Sequence, residues 1–71
     1  MNIRFTDHAK FRLQERSIST EAIKKTILAP DQRVRRSDGK VVATKSFVNY
    51  RIRVIYIMEG KTYLIITMIK L

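Results

Sequence analysis

Residues 50–69 read YRIRVIYIMEGKTYLIITMI and decide the fold of this 71-residue chain. Two runs rich in β-branched and aromatic residues flank Glu59-Gly60, a pattern that is typical of a β-hairpin with long arms. Side chains alternate between the two faces of a strand, so the first arm has one apolar face and one mixed face. The apolar face, which we expect to contact helices, carries Tyr50, Ile52, Val54, Tyr56 and Met58, and the mixed face carries Arg51, Arg53, Ile55 and Ile57.

A second hairpin is predicted before this one. Residues 32–36 (QRVRR) and 40–47 (KVVATKSF) flank Asp38-Gly39, which is a strong hairpin-turn signal. Alternation places the first two arginines of this hairpin on the same face of their strand. We therefore expect one basic sheet surface, formed by Arg33, Arg35, Arg51 and Arg53.

Two helices are predicted before the hairpins. Thr6 and Asp7 are both suitable N-cap residues for a helix over about residues 7–16. Ser19 and Thr20, with Glu21 in the first turn, begin a second helix, and Pro30 stops it at about Ala29.

The remaining N-terminal residues, 2–5, are expected to form a short edge strand or an extended lead-in. Residues 1–71 then form one α+β domain, in which two N-terminal helices pack on an antiparallel sheet of about four strands. A sheet this short has edges to cover, so a homodimer through an edge strand is also expected.

Charge is the strongest signal in the composition. The chain has 15 Lys and Arg against 6 Asp and Glu, a net charge of +9. Such an excess on a small domain favours a polyanionic partner, with nucleic acid first and an acidic protein second.

The composition also excludes several classes of protein. No cysteine is present, so disulfides and thiolate metal sites are excluded, and a single histidine argues against a zinc site. We expect no metal and no cofactor. The apolar runs are too short to cross a bilayer, and no signal-like segment follows the start, which predicts a cytoplasmic protein without membrane contact.

The first predicted helix carries a histidine and two arginines, His8, Arg12 and Arg16, one turn apart. Both arginines approach the side of the helix that must pack, where an unpaired charge is costly. We expect them to have a partner, which is Glu15, a backbone carbonyl or a bound anion. The ordinary alternative is that each arginine extends over the sheet edge without any ligand. On the functional interpretation, the three side chains converge with strand cations into one anion-sized pocket.

Three stretches resemble a known family: DHAKFRLQERSIS (residues 7–19), AIKKTILAPDQ (22–32) and YRIRVIYIMEGKTYLIITMIKL (50–71). The family is called domain of unknown function 4258, and it is in turn similar to the RelE, ParE and BrnT toxins, small basic α+β proteins of bacterial toxin–antitoxin pairs. The resemblance implies a metal-independent ribonuclease that an acidic antitoxin neutralises. RelE-like nucleases place basic or aromatic residues after the last core strand, where this sequence ends, so catalysis would use the first helix or the sheet face.

Metal-free RNA cleavage needs a base for the 2′-hydroxyl proton, an acid for the leaving oxygen and cations for the charged transition state. His8 is the only side chain here that ordinarily titrates near neutral pH, and guanidinium groups match phosphate oxygens. The candidate catalytic residues are His8, Arg12, Arg16 and Arg53. The candidate nucleic-acid-binding residues are Arg33, Arg35, Lys45, Arg51 and Tyr56, although a strand tyrosine such as Tyr56 more often belongs to the core.

Three functions remain open from the sequence. The first is a toxin-like ribonuclease that acts on RNA, and the second is a non-catalytic nucleic-acid-binding module. The third is a basic partner of an acidic protein such as an antitoxin.

Overall fold

Two helices lie against one face of a five-stranded sheet in the computed structural model, which describes residues 1–71. The elements are β1 (Asn2–Phe5), α1 (Asp7–Glu15), α2 (Thr20–Leu28), β2 (Gln32–Arg35), β3 (Val41–Ser46), β4 (Arg51–Glu59) and β5 (Thr62–Lys70). The strand order is β1-β5-β4-β3-β2, so the long hairpin of β4 and β5 lies inside the sheet and β1 and β2 are its edges.

The sheet is mixed, and it differs from the predicted one in strand number and direction. Residues 2–5 form β1, which pairs in parallel with β5 from Asn2 opposite Thr62 to Phe5 opposite Ile65. The other three strand pairs are antiparallel. The prediction of about four antiparallel strands is therefore wrong, because a four-residue strand gives no local signal for a partner about sixty residues away.

Both helices begin where the cap residues predict. The Thr6 hydroxyl accepts a hydrogen bond from the Ala9 amide at 3.1 Å, and it donates to the Ile66 carbonyl oxygen at 3.1 Å. This second bond ties the start of α1 to β5. The Ser19 hydroxyl accepts from the Ala22 amide at 3.1 Å in the same way. Neither helix has the length and apolar character needed to cross a bilayer.

The core lies between the helices and the face of β4 that the alternation predicts. Ile52, Val54 and Tyr56 of β4 are buried there, together with Ile23 and Ile27 of α2. The expected orientation of β4 is therefore confirmed. The opposite side of the sheet, here named the open face, has no helix on it and carries Val34, Val42, Ile55, Ile57, Leu64 and Ile69 beside Arg51 and Arg53.

The turn between β2 and β3 is fixed by Asp38 and Gly39, as predicted. Gly39 adopts φ 87°, and the Asp38 carboxylate accepts a hydrogen bond from the Lys40 amide at 3.0 Å. This hydrogen bond and the nearby charges of Arg36 and Lys40 lower the pKa of Asp38. The carboxylate stabilises the folded turn above the ordinary carboxyl pKa, and that contribution is lost as the pH falls through the lowered value.

Candidate functional site

One side of α1 collects the candidate catalytic residues of the helix. This surface, here named the α1 flank, consists of His8, Arg12, Glu15 and Arg16. The Nε2 atom of His8 lies 3.1 Å from Oγ1 of Thr67 on β5. Thr67 pairs with Ile55 in the β4–β5 register, which places it on the open face. The α1 flank therefore borders the open face, along the part of β5 beyond the end of β1.

Thr67 is a contact that the sequence reasoning missed. Its only signal is a hydroxyl within the apolar run LIITMI of the last strand. The interaction joins residues that are far apart in the chain, so helical spacing alone could not identify it.

The two arginines of the α1 flank share one carboxylate. Glu15 Oε1 lies 3.5 Å from Arg12 Nη1 and 3.7 Å from Arg16 Nε, so Glu15 is confirmed as the partner among the predicted alternatives. The side chains of Arg12 and Arg16 are 35% and 50% exposed. Exposed pairs of this kind contribute about 0–1 kcal/mol to stability. The flank thus keeps a net positive charge, and a phosphate can compete with Glu15 for both guanidiniums.

The strand arginines do not form one surface. Arg51 and Arg53 lie on the open face, but Arg33 is paired with Ala43, whose side chain belongs to the buried core under the helices. Arg35 follows Arg33 on that helix-bearing face. The prediction of one basic surface is therefore wrong. Alternation shows that the two arginines of β2 share a face, but it does not show whether that is the same side of the sheet as the arginines of β4.

Arg33 and Lys45 contact the end of α2. Arg33 Nη2 donates to the Ile27 carbonyl oxygen at 2.6 Å, and Lys45 Nζ donates to the Ala29 carbonyl oxygen at 2.9 Å. The last carbonyls of a helix lack partners within the helix, and cations are favoured beside them. Lys45 therefore has a structural role in addition to its predicted one.

We expect Lys45→Met to lower the free energy of unfolding by about 0.5–1 kcal/mol, because the Ala29 carbonyl loses its charged donor. Urea unfolding of the two proteins measures this difference. Lys10→Met is the matched control, since Lys10 is exposed on α1 and forms no salt bridge or side-chain hydrogen bond. Equal stabilities of the two variants would show that Lys45 does not cap α2.

Two cavities are present, one on each face of the sheet. The cavity on the open face has a volume of about 460 Å³ and includes Val34, Arg36, Arg53, Ile55 and Ile69. The cavity on the helix-bearing face has a volume of about 340 Å³ and is lined by Arg33, Arg35, Gly39, Val41, Tyr56, Met58 and Tyr63. Neither cavity includes His8, Arg12 or Arg16, so the structure does not form the single anion-sized pocket that the sequence predicts.

Tyr56 is a core residue, 4% exposed, and at the same time it lines the cavity on the helix-bearing face. The candidate residues therefore separate into two groups. The α1 flank with Arg51 and Arg53 belongs to the open side, whereas Arg33, Arg35 and Tyr56 belong to the helix side. No group of three His, Asp or Glu side chains is placed to hold a metal ion.

Comparison with known proteins gives one match. The model of the family described as Domain of unknown function (DUF4258) matches residues 5–70. No curated protein and no solved structure matches the chain.

Proposed function

This chain belongs to the DUF4258 family, and from that premise we propose that it is a toxin-like basic protein that binds RNA and cleaves it without a metal ion. The observation that supports the proposal is that His8, which contacts Thr67, lies on the same side of α1 as Arg12 and Arg16, whose guanidiniums share Glu15. Arg51 and Arg53 extend the positive charge across the adjoining open face. We also propose that the family is related to the RelE, ParE and BrnT toxins, a proposal that rests on the resemblance of residues 50–69 to the central hairpin of the RelE and ParE type.

In the proposed reaction, His8 acts as the general base. When its Nε2–H donates to Thr67, the other ring nitrogen, Nδ1, has a free lone pair and takes the proton of the RNA 2′-hydroxyl. The 2′ oxygen then attacks the phosphorus atom, and the bond to the 5′ oxygen breaks. The leaving oxygen takes a proton from the imidazolium or from water, which yields a 2′,3′-cyclic phosphate and a 5′-hydroxyl.

Arg12 and Arg16 hold the reacting phosphate in this proposal, and Arg53 contacts the RNA strand on the adjoining open face. Guanidinium groups bind two phosphate oxygens at once, and they stabilise the charge that develops on those oxygens in the transition state. The pairs between Glu15 and the two helix arginines are long and exposed, so the phosphate replaces the carboxylate at small cost.

We expect the purified protein to cleave RNA in the presence of excess EDTA. The products should carry 2′,3′-cyclic phosphate and 5′-hydroxyl ends, because the 2′-hydroxyl is the nucleophile. Gel electrophoresis of labelled RNA and mass spectrometry of the fragments measure both features. Protein that binds RNA but does not cut it, either free or on ribosomes, is instead a non-catalytic nucleic-acid-binding module.

The apolar character of the open face favours a second function, that of a basic partner of an acidic protein such as an antitoxin. Val34 and Ile69 are 48% and 42% exposed there, next to Arg53 in the same cavity. An acidic segment with apolar side chains matches both properties. Co-purification with a small acidic protein encoded beside this chain would support that function.

We also propose where the protein acts and how it assembles. A chain without cysteine suits the reducing cytoplasm, where we propose that it acts. The edge strand β2 is exposed along its whole length, which suits pairing with a second copy in a homodimer.

A further inference from the structure

We propose that the cavity on the helix-bearing face binds one nucleotide, with its base against Tyr63 and Met58 and its phosphate on Arg35 and Arg33. This cavity, here named the arginine–tyrosine cleft, lies on the opposite side of the sheet from the open face. It is therefore a site separate from His8. Its volume of about 340 Å³ lies at the lower end of the range of small-ligand sites, about 300–1,000 Å³.

One residue that lines the cleft, Tyr56, has a hydroxyl group without a hydrogen-bond partner in the protein. Tyr56 is 4% exposed and lines the cleft, and its hydroxyl forms no hydrogen bond with the protein. No side-chain oxygen or nitrogen is both buried and without a partner. The Tyr56 hydroxyl therefore keeps some contact with solvent, and Tyr56 is one of the residues that line the cleft. Such a group is ready to donate to, or accept from, a bound ligand.

One wall of the cleft is aromatic and apolar. The rings of Tyr56 and Tyr63 pack at a centroid distance of 5.4 Å and an interplanar angle of 60°. Tyr63 is only partly buried, and Met58 beside it is 46% exposed. A ring of this kind provides a stacking surface for a nucleobase, which contributes about 1–3 kcal/mol per base. Met58 pairs with Tyr63 in the β4–β5 register and adds a polarisable side chain to this wall.

The other wall is cationic, and no carboxylate lines it. Arg33 has one nitrogen fixed by the Ile27 carbonyl at 2.6 Å, which orients the guanidinium and leaves its other N–H groups free. Arg35 forms no salt bridge and no side-chain hydrogen bond, although six other basic side chains of the chain pair with carboxylates. Two guanidiniums without an acidic neighbour match a phosphate group.

The Tyr56 hydroxyl, the aromatic wall and the cationic wall together favour a nucleotide over an acidic peptide. A carboxylate side chain would use the arginines but leave the aromatic wall and the Tyr56 hydroxyl without partners. A nucleotide uses all three features, because its base has a flat face, its edges carry hydrogen-bonding groups and its phosphate is anionic. The nucleotide is either free or one unit of an RNA strand. Only the second source rests on the proposed function.

The test is a nuclear magnetic resonance titration of the whole, isotope-labelled protein with four probes. These are adenosine 5′-monophosphate, adenosine, inorganic phosphate and a short oligoadenylate with 2′-O-methyl groups, which cannot be cleaved through the 2′-hydroxyl. We expect the monophosphate to shift the amide signals of Arg35, Val41 and Tyr63. It should bind at least about tenfold more tightly than adenosine or phosphate alone, because each of these fills half of the site.

Three variants measure how much single side chains contribute to binding of the monophosphate. Arg35→Ala should weaken binding of the monophosphate about tenfold, because a charge-assisted contact is lost. Tyr56→Phe removes only the hydroxyl and should weaken it about threefold to fivefold. Lys10→Ala, which removes one charge from exposed α1, should leave it unchanged.

The outcomes separate this inference from the proposed function. Shifts in the cleft with the oligoadenylate assign the site to an RNA strand, and shifts with the monophosphate alone assign it to a free nucleotide; both support it. Equal affinity for phosphate and the monophosphate, shifts confined to the open face, or no shift of the cleft signals with any of the four probes would each overturn it. None of the four probes can be cleaved through a 2′-hydroxyl in the proposed reaction. The titration therefore gives the same result whether or not His8 catalyses RNA cleavage.

Discussion

His8→Ala is expected to lower the rate of RNA cleavage by about 10²–10⁴-fold, the usual contribution of a general base. The side chain is exposed, and its one hydrogen bond in the protein is the 3.1 Å contact with Thr67. Alanine is also the best helix former, so the variant should keep its fold and most of its stability. Single-turnover cleavage rates and RNA affinity, measured on the same preparations, separate catalysis from binding.

Thr67→Val gives the second variant of this experiment. Valine keeps the shape of the threonine side chain but removes the hydroxyl that orients the imidazole, so cleavage should fall by about tenfold with RNA affinity unchanged. Gln14→Ala is the matched control, because Gln14 is exposed on the other side of α1. A His8→Ala protein that cleaves RNA at the parental rate would exclude His8 as the base.

A different pattern of losses would identify the non-catalytic alternative. Binding through phosphate contacts weakens steeply as salt rises, and each lost cation lowers that salt dependence. If Arg51→Ala and Arg53→Ala weaken RNA binding while His8→Ala changes neither binding nor any cleavage, the open face is a binding surface only.

The parts of the fold that depend on neighbouring residues could be predicted from the sequence. The caps at Thr6 and Ser19, the turn at Asp38-Gly39 and the buried face of β4 each follow from a few adjacent side chains. Local hydrogen bonds and strand alternation decide these features, so the sequence contains the information needed.

The features that were predicted wrongly depend on pairing between distant strands. β1 lies at one edge of the sheet and pairs in parallel with β5, about sixty residues away in the chain. The face on which Arg33 lies depends on the register of β2 against β3. A shift of this register by one residue would move Arg33 to the other side of the sheet. Alternation within one strand carries no information on either point.

The candidate site shows the same division. The sequence placed Glu15 among three alternative partners of the two helix arginines, because all three residues lie within two turns of one helix, and the structure shows the pairs with Glu15. It did not identify the contact of Lys45 with Ala29 or that of His8 with Thr67, since both join separate elements. In a sequence with many basic residues, a lysine that caps a helix, such as Lys45, is easily predicted to bind a ligand. The sequence does not show that its partner is the Ala29 carbonyl at the end of a helix.

Ile52→Ala is expected to lower the free energy of unfolding by about 2–5 kcal/mol, the range for truncating a buried isoleucine. Ile52 is 0% exposed and lies on β4, an inner strand of the sheet, beneath the helices. A chain of this length has a total stability of about 4–11 kcal/mol, so this single cavity removes a large part of it.

Ile57→Ala is the matched control, because Ile57 lies on the open face of the same strand and is only partly buried. Both changes lose the same β-branched residue, so the difference between their urea unfolding free energies measures burial under the helices. Equal losses in the two variants would mean that the helices do not cover the face of β4 that carries Ile52.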